Sequence, residues 1–381
     1  MDLARTEPRD WLYGDILLRK FISMTVAPGG VGKSSLVAVE TLAQVTGKPL
    51  LGEELHSGAL RVWLWNLEDP YAETQKKILA AAKRYNISEA DIGDRLFVDS
   101  GRDQRLVIAV MDRSGPMIVR PVVDDLVEQI RLREIDVVVV DPFVSCHGVP
   151  ENDNTAQDMV VKEWGRVAEL GRCAVHLVDH TSKAGSKDVV TDSSRGAKAK
   201  TDAARVVRVV NRMSDVDGRA YGIGETMRWK YFNTFNDKAN MAPPKAQRDW
   251  FMMESVWAGN GASAGEVFSV GAAAVPVHGD SVGVAVQWTP PSAAILAGGN
   301  SFMAMKAAMG TKEWRKHPHA QEKWIGHAAA KALELDVGSV ADRATLKGVL
   351  AQWFRDGLLV EVTQPDAHRK DRKFIKIAGG F

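Results

Sequence analysis

The 381 residues carry 49 Lys and Arg against 48 Asp and Glu, a formal net charge of +1, with 45% hydrophobic content. That balance excludes overall basicity as a drive toward nucleic acid, so any such contact must come from local patches. Length and hydrophobic fraction predict one large domain with a buried core and a smaller one beside it.

The two cysteines, Cys146 and Cys173, show no CxxC or Cys/His ligand spacing, which excludes a disulfide framework or a zinc site and predicts reduced thiols. The N-terminal MDLARTEPRDWLYGD has no apolar targeting core. No stretch approaches the roughly 20 apolar residues that cross a bilayer, so the expectation is a cytoplasmic protein without a membrane segment.

In chain order, five short apolar runs alternate with helical patterns. The runs are FISMTV (21–26), LRVWLWN (60–66), RLFVDS (95–100), DVVVVD (136–141) and CAVHLVD (173–179). Between them Lys33 to Thr46, Tyr71 to Tyr85, Pro121 to Glu134 and Thr155 to Gly171 place apolar residues three and four apart. The alternation predicts βαβ units and a mainly parallel α/β sheet, with VVVV buried on both faces. From about residue 205 the runs ARVVRVV, MRWKYFN, WFMMESVW and SVGVAVQW predict antiparallel strands that extend the sheet. The Ala, Gly, Ser and Pro-rich stretch 261–300 reads as an irregular transition. From Ser301 two amphipathic helices, HAQEKWIGHAAAKALEL and ADRATLKGVLAQWFRD, lead past Gly357 into a hairpin, LLVEV and FIKIA. Helix, helix and hairpin with a basic tip predict a winged helix-turn-helix. The expected domains are thus 1–260, a transition at 261–300, and 301–381.

Residues Ala27 to Ser34, APGGVGKS, follow the first strand and open the first helix, as a P-loop does. Pro28, Gly29, Gly30, Val31, Gly32, Lys33, Ser34 and Ser35 would cradle the phosphates of ATP, because small residues let consecutive backbone N–H groups face an anion. Lys33 would reach the β and γ phosphates, and the Ser34 hydroxyl would ligate Mg²⁺. Asp141, ending DVVVVD, stands where a second Mg²⁺ ligand belongs. Glu68 in WNLEDP ends the strand after the P-loop helix, where a carboxylate can orient the attacking water. Asp69 competes for that role, and both could instead cap the helix that follows Pro70. His180, ending the strand after CAVHLVD, can report loss of the γ phosphate.

Taken in order, APGGVGKSS, NLEDP, VVVVDPF, HLVDHTSK, SSRGAKAKTDAARVV and FNDKANMAPP resemble the RecA-like superfamily, in particular the plasmid and phage RepA-type hexameric replicative helicases. The resemblance spans about residues 20–255. It implies a RecA-like P-loop NTPase core in which Glu68 is the catalytic glutamate, Asp141 the Walker B aspartate, His180 the γ-phosphate sensor and Arg195 an arginine finger. A finger acts on the neighbouring subunit's nucleotide, so the resemblance also implies a homo-oligomer, a hexameric ring. Lys238 and Asn240, in DKAN, match a Lys/Asn pair near a subunit boundary. The chain departs from the family in Asp179-His180, where two histidines are usual, and in Lys198 and Lys200, which would fall near that boundary.

Loops 142–154 and 181–193 would line the ring's channel. Lys183 and Lys187 in the second are expected to contact single-stranded DNA phosphates, while Phe143 is the one aromatic in either loop. At the hairpin, Arg369, Lys370, Arg372 and Lys373 are expected to meet duplex DNA. The resulting expectation is an ATPase and DNA helicase of a phage or plasmid-like replicon. An ATP-regulated DNA-binding regulator and a filament-forming recombination mediator are the alternatives.

Overall fold

Runs with valine or isoleucine at consecutive positions have no polar face to offer water, so they fold as strands covered on both sides. In the computed structural model, which describes residues 5–181, 197–242, 248–260, 268–270, 273–275, 279–291, 299–365 and 371–378, the five runs become β1 (Ile22–Ala27), β2 (Val62–Asn66), β3 (Leu96–Ser100), β4 (Val137–Asp141) and β5 (Ala174–His180). Helices α1 (Lys33–Thr46), α2 (Tyr71–Tyr85), α3 (Arg120–Leu132) and α4 (Asn154–Gly171) connect them, within two residues of the bounds that periodicity gives. A short α5 (Ala197–Ala203) precedes β6 (Val206–Arg212), and β7 (Tyr231–Ala239), β8 (Asp249–Trp257) and β9 (Ser281–Gln287) follow.

These strands form one nine-stranded sheet in the order β9-β8-β7-β6-β1-β5-β4-β2-β3. The P-loop strand β1 lies between β5 and β6, parallel to both. ARVVRVV, expected to open an antiparallel set, is instead the last parallel strand. Its chain enters from α5, a crossover that returns it to the sheet in the same direction as β5. Only β7, β8 and β9 run antiparallel to their predecessors in the sheet. In MRWKYFN the first four residues belong to a 3₁₀ turn, Glu225–Lys230, and the strand starts at Tyr231. Strand β9, the run SVGVAVQW read as an antiparallel strand, forms the sheet edge within the stretch otherwise read as an irregular transition.

Side chains along β5 alternate between two cores. Val175 and Leu177 pack with α3 and α4, while Ala174 and Val178 pack with α1 and α2. The same alternation sends Asp179 and His180 to opposite faces of the sheet. A small N-terminal hairpin, Trp11–Tyr13 with Leu17–Leu18, adds Leu12, Tyr13, Ile16 and Leu17 to the core on the α1 side. Its strands are too short for an alternating pattern to announce them.

One polar network crosses this core. Arg208 on β6 donates to both carboxylate oxygens of Glu40 on α1 and to Thr25 Oγ1. Having accepted from Arg208, Thr25 donates its own hydrogen to His176 Nε2 at 2.9 Å, which leaves Nδ1–H of that ring to donate to Ser23 Oγ at 2.7 Å. The ring is therefore held neutral. Burial, and secondarily the Arg208 charge, push the His176 pKa down from its ordinary 6.5 to about 3. Burial likewise pushes His147 down to about 4. Both depressed values mean that the unfolded chain takes up protons near pH 6.5 which the folded chain refuses. Folding stability should therefore be full above that pH and fall below it, by about 1.4 kcal/mol per pH unit for each histidine until pH approaches 4. Urea unfolding at pH 7.5 and 5.5 checks this: a midpoint unchanged between the two would contradict the neutral rings.

The chain divides into two compact units, Met1–Arg212 with Lys230–Trp288, and Met213–Trp229 with Thr289–Phe381. The second thus includes a segment far from the C-terminus in sequence, carrying α6 (Asp215–Tyr221). It also holds α7 (Gly299–Met309), α8 (Gly326–Leu333), α9 (Val340–Arg355) and a hairpin of β10 (Leu359–Pro365) and β11 (Asp371–Ile377). Its core joins Phe302, Met305, Trp324, Leu346, Trp353 and Ile375. The helix expected over HAQEKWIGHAAAKALEL covers only its second half. Arg315 takes the Lys323 carbonyl at 2.7 Å and gives its own carbonyl to Ile325 N–H at 2.9 Å, so those backbone groups are not free for helix.

Candidate active site

The turn between β1 and α1 depends on two glycines. Gly30 and Gly32 have φ of 69° and 103°, in the left-handed region that side chains disfavour. A Cβ on Gly32 would also lie 2.9 Å from Met253 Sδ. Gly32 is the N-cap of α1 with no side chain over it, so the helix N-terminus presents bare backbone N–H groups to any anion in the loop.

Four predicted residues converge immediately beyond. Lys33 Nζ donates to Asp141 Oδ1 at 3.1 Å and to His180 Nε2 at 3.0 Å, and Ser34 Oγ donates to Asp141 Oδ2 at 2.9 Å. Lys33 and Asp141 are 7% and 4% exposed, so their mutual charge is weakly screened. The sheet order explains the meeting, because β5 stands between β1 and β4 and brings His180 level with Ala27. The donor set fits a hard divalent cation: a hydroxyl and a carboxylate, oxygens only, beside a loop built for phosphate.

Glu68 arrives from β2, which pairs with β4 so that Asn66 lies opposite Asp141. The Leu67 N–H donates to the Asp141 carbonyl at 2.8 Å, extending that register by one residue. Asn66 Oδ1 then accepts from the backbone N–H groups of both Glu68 and Asp69, at 3.0 and 2.7 Å, and turns the chain. The two carboxylates differ sharply in what they do next. Asp69 is held by Lys77 at 2.6 Å and by Asn66, and the Lys77 hydrogen bond above all lowers its pKa below the usual carboxylate range. Glu68 is exposed and held through its backbone, its N–H by Asn66 Oδ1 and its carbonyl by Arg102 at 2.7 Å. Asp69 is thus engaged by Lys77 and Asn66, while among the described residues the Glu68 carboxylate shows no hydrogen bond or ion pair.

Residues 2–186 match a family model described as an AAA domain, a span that includes Lys33, Glu68, Asp141 and His180. That match covers just under half of the 381 residues. Two solved structures are similar to parts of the chain. A DnaB-like replicative helicase, reported with its interactions with primase, aligns at 11% identity and a TM-score of 0.45 over 62% of this chain and 57% of that one. The RadB recombinase aligns at 10% identity and a TM-score of 0.40 over 62% of this chain and 88% of its own. This chain thus spans little more than half the length of the first.

Other expectations divide. Arg195, Lys183, Lys187, Arg369 and Lys370 lie outside the described residues. Arg372 and Lys373 are exposed on β11, with Lys373 3.8 Å from Glu361 across the hairpin. The first half of loop 142–154 packs into the core, while residues 150–152 and 154 are exposed. Phe143–Cys146 forms a 3₁₀ turn, and Phe143, Cys146, His147 and Val149 are buried, so that aromatic cannot stack on a base. Lys200 is not at the surface either: it is buried and paired with Asp179 at 3.3 Å. Lys238 donates to the carbonyls of Thr201 and Asp202 at 2.8 and 2.9 Å, satisfying the end of α5 within the same chain.

One residue of the site escaped sequence reasoning. Arg212, at the end of β6, donates to the carbonyl of Gly29 at 2.8 Å and lies beside Gly30. The sole signal was position, since a parallel strand next to β1 must end at the P-loop edge. Among the described residues no helix is long and apolar enough to cross a membrane.

Proposed function

We propose that this chain is an ATP-hydrolysing motor on DNA: a ring-forming, replicative-type helicase of a phage or plasmid-like element, hexameric and cytoplasmic, with a C-terminal winged helix that meets duplex DNA. The convergence of Lys33, Ser34, Asp141 and His180 beside a glycine-built anion cradle carries the ATPase part. The resemblance of the ordered motifs to RepA-type helicases supports the DNA part, and exposed Arg372 and Lys373 suit phosphate contacts at the hairpin.

In this reading Lys33 gives up Asp141 and binds the β and γ phosphate oxygens. Ser34 and Asp141 would hold Mg²⁺, which supplies divalent charge to the phosphates. Glu68 accepts a hydrogen bond from water and aligns it with the γ phosphorus, then takes the proton as the oxygen–phosphorus bond forms and the bridging bond breaks. His180, within reach of Lys33, registers the departure of the γ phosphate. Arg195 would complete the neighbouring subunit's site, and Lys183 and Lys187 would follow a single strand through the ring.

In this reading Arg212 would serve the end of the triphosphate away from Asp141 and His180, because β6 flanks β1 on the side opposite β5 and β4. Arg212→Ala is expected to weaken ATP affinity about tenfold, the size of one charge-assisted hydrogen bond, with little change in kcat. Titration of a fluorescent ATP analogue together with steady-state turnover separates the two.

Strand displacement on a tailed fork, with mass measured in solution with and without an ATP analogue, tests the whole reading. The expected result is ATP-dependent unwinding by an assembled ring. An assembled, active ATPase that unwinds nothing would sink the helicase claim. Sequence-specific duplex binding with slow turnover would favour a regulator, and an open filament a recombination mediator.

A further inference from the structure

Strand β5 ends in two adjacent side chains with separate tasks. His180 turns to the α1 face and takes a hydrogen bond from Lys33. Asp179 turns to the other face, is 2% exposed, and pairs with Lys200 of α5, which is 1% exposed. The Lys200 ammonium also stands 5.3 Å over the ring of Phe143, in the turn that follows Asp141. The pair therefore touches the continuation of both strands that carry the nucleotide contacts.

Two features make this a stiff connection. An ion pair removed from water separates only at a desolvation cost, so the pair holds α5 and β5 to each other beyond what apolar packing contributes. At its far end α5 is fastened again, by Lys238 on the carbonyls of Thr201 and Asp202. The helix is clamped to β5 at its middle and to β7 at its end. In sequence, the segment between Asp179 and Lys200 contains the residues read as DNA contacts and finger, so α5 fixes where that segment rejoins the fold.

We propose that Asp179 and Lys200 are a positioning pair that couples the Lys33–His180 contact on one face of β5 to the placement of α5 on the other. Loss of the γ phosphate shifts His180, its neighbour Asp179 moves with the same stretch of backbone, and Lys200 carries the displacement into α5. This deepens the motor reading and rests on its ATPase part. The two departures noted in the sequence, an aspartate before the sensor histidine and a lysine after the SRG segment, are then one compensated feature.

Hydrogen exchange across residues 197–204 in the full chain, with and without a non-hydrolysable ATP analogue and Mg²⁺, is the test. In the native chain the analogue should change exchange there by at least about threefold. Lys200→Met alone removes only one charge of the buried pair, so the deciding variant is Asp179→Asn with Lys200→Met, which removes both charges. It is expected to melt at the native temperature and bind the analogue within about twofold of native, yet to lose the exchange response and about tenfold in DNA-stimulated kcat. A response of α5 that survives in this double variant, or that is absent from the native chain, overturns the coupling. Single-stranded polydeoxythymidine that fails to stimulate native turnover, while α5 still responds to nucleotide, overturns the DNA reading and leaves the coupling standing.

Discussion

Lys33→Ala is expected to lower ATP turnover by about 10²- to 10³-fold, the range found when one preorganised cationic or hydrogen-bond donor is taken from a transition state. The reasoning starts from where the ammonium stands: it is buried, 3.1 Å from Asp141 and 3.0 Å from His180, at the first turn of α1. Removing it takes away the one side-chain cation among the described residues that bonds to both of the strand ends facing the loop. Nucleotide affinity should fall too, because Lys33 contacts phosphates in ground and transition states alike. Lys33→Met, which keeps the aliphatic stem packed, separates the loss of charge from the loss of packing. Steady-state ATPase and analogue titration on both variants check this. Turnover within a few-fold of native in Lys33→Met would show that the loop does not work on a triphosphate.

Much of this site was legible in the sequence because its parts are locally encoded. APGGVGKS declares its backbone through glycine, and Asp141 and His180 are polar residues at the ends of apolar runs, where the chain leaves the sheet. Once the runs are taken as parallel strands, their carboxyl ends must lie along one edge. What could not be read was pairing at long sequence separation. Asp179 with Lys200, Lys238 with the end of α5, and Arg212 with Gly29 depend on strand order, which periodicity does not encode. Polarity misled most where charges are buried. Lys200 read as a surface lysine, yet its partner is a sheet residue twenty-one positions earlier.

In the loop after β4, PFVSCHGVPENDN, the first half is apolar, and Phe143 and Cys146 fill the core on the α4 side, a packing that strand order alone places. In the second unit, α7 went unclaimed because SFMAMKAAM is apolar on most faces and shows no helical stripe, although Phe302 and Met305 are buried. The adjacent HAQEK, read as part of the same helix, forms instead a kinked 3₁₀ segment, Pro318–Lys323, whose last carbonyl accepts from Arg315 N–H.

Glu68→Gln should separate binding from chemistry more cleanly than any other change. The amide keeps the shape and the backbone turn made by Asn66, so nucleotide binding and assembly are expected to stay near native. The loss of a carboxylate able to accept the water's proton should lower kcat by about 10²- to 10⁴-fold. Asp69→Asn is the decisive companion. Asp69 is already engaged by Lys77 at 2.6 Å, so its neutralisation releases a surface-side ion pair rather than a base. At 39% side-chain exposure that pair is partly screened, and the expected cost is about 1 kcal/mol or less in stability with turnover within a few-fold of native. The two adjacent carboxylates in NLEDP, indistinguishable by residue type, are thus predicted to differ by at least about a hundredfold in their effect on kcat. Single-turnover ATP hydrolysis on each variant, with urea unfolding alongside, reads both quantities. If the larger loss followed Asp69→Asn, the exposed Glu68 carboxylate would be reduced to a helix-entry residue and the hydrolytic assignment would pass to its neighbour.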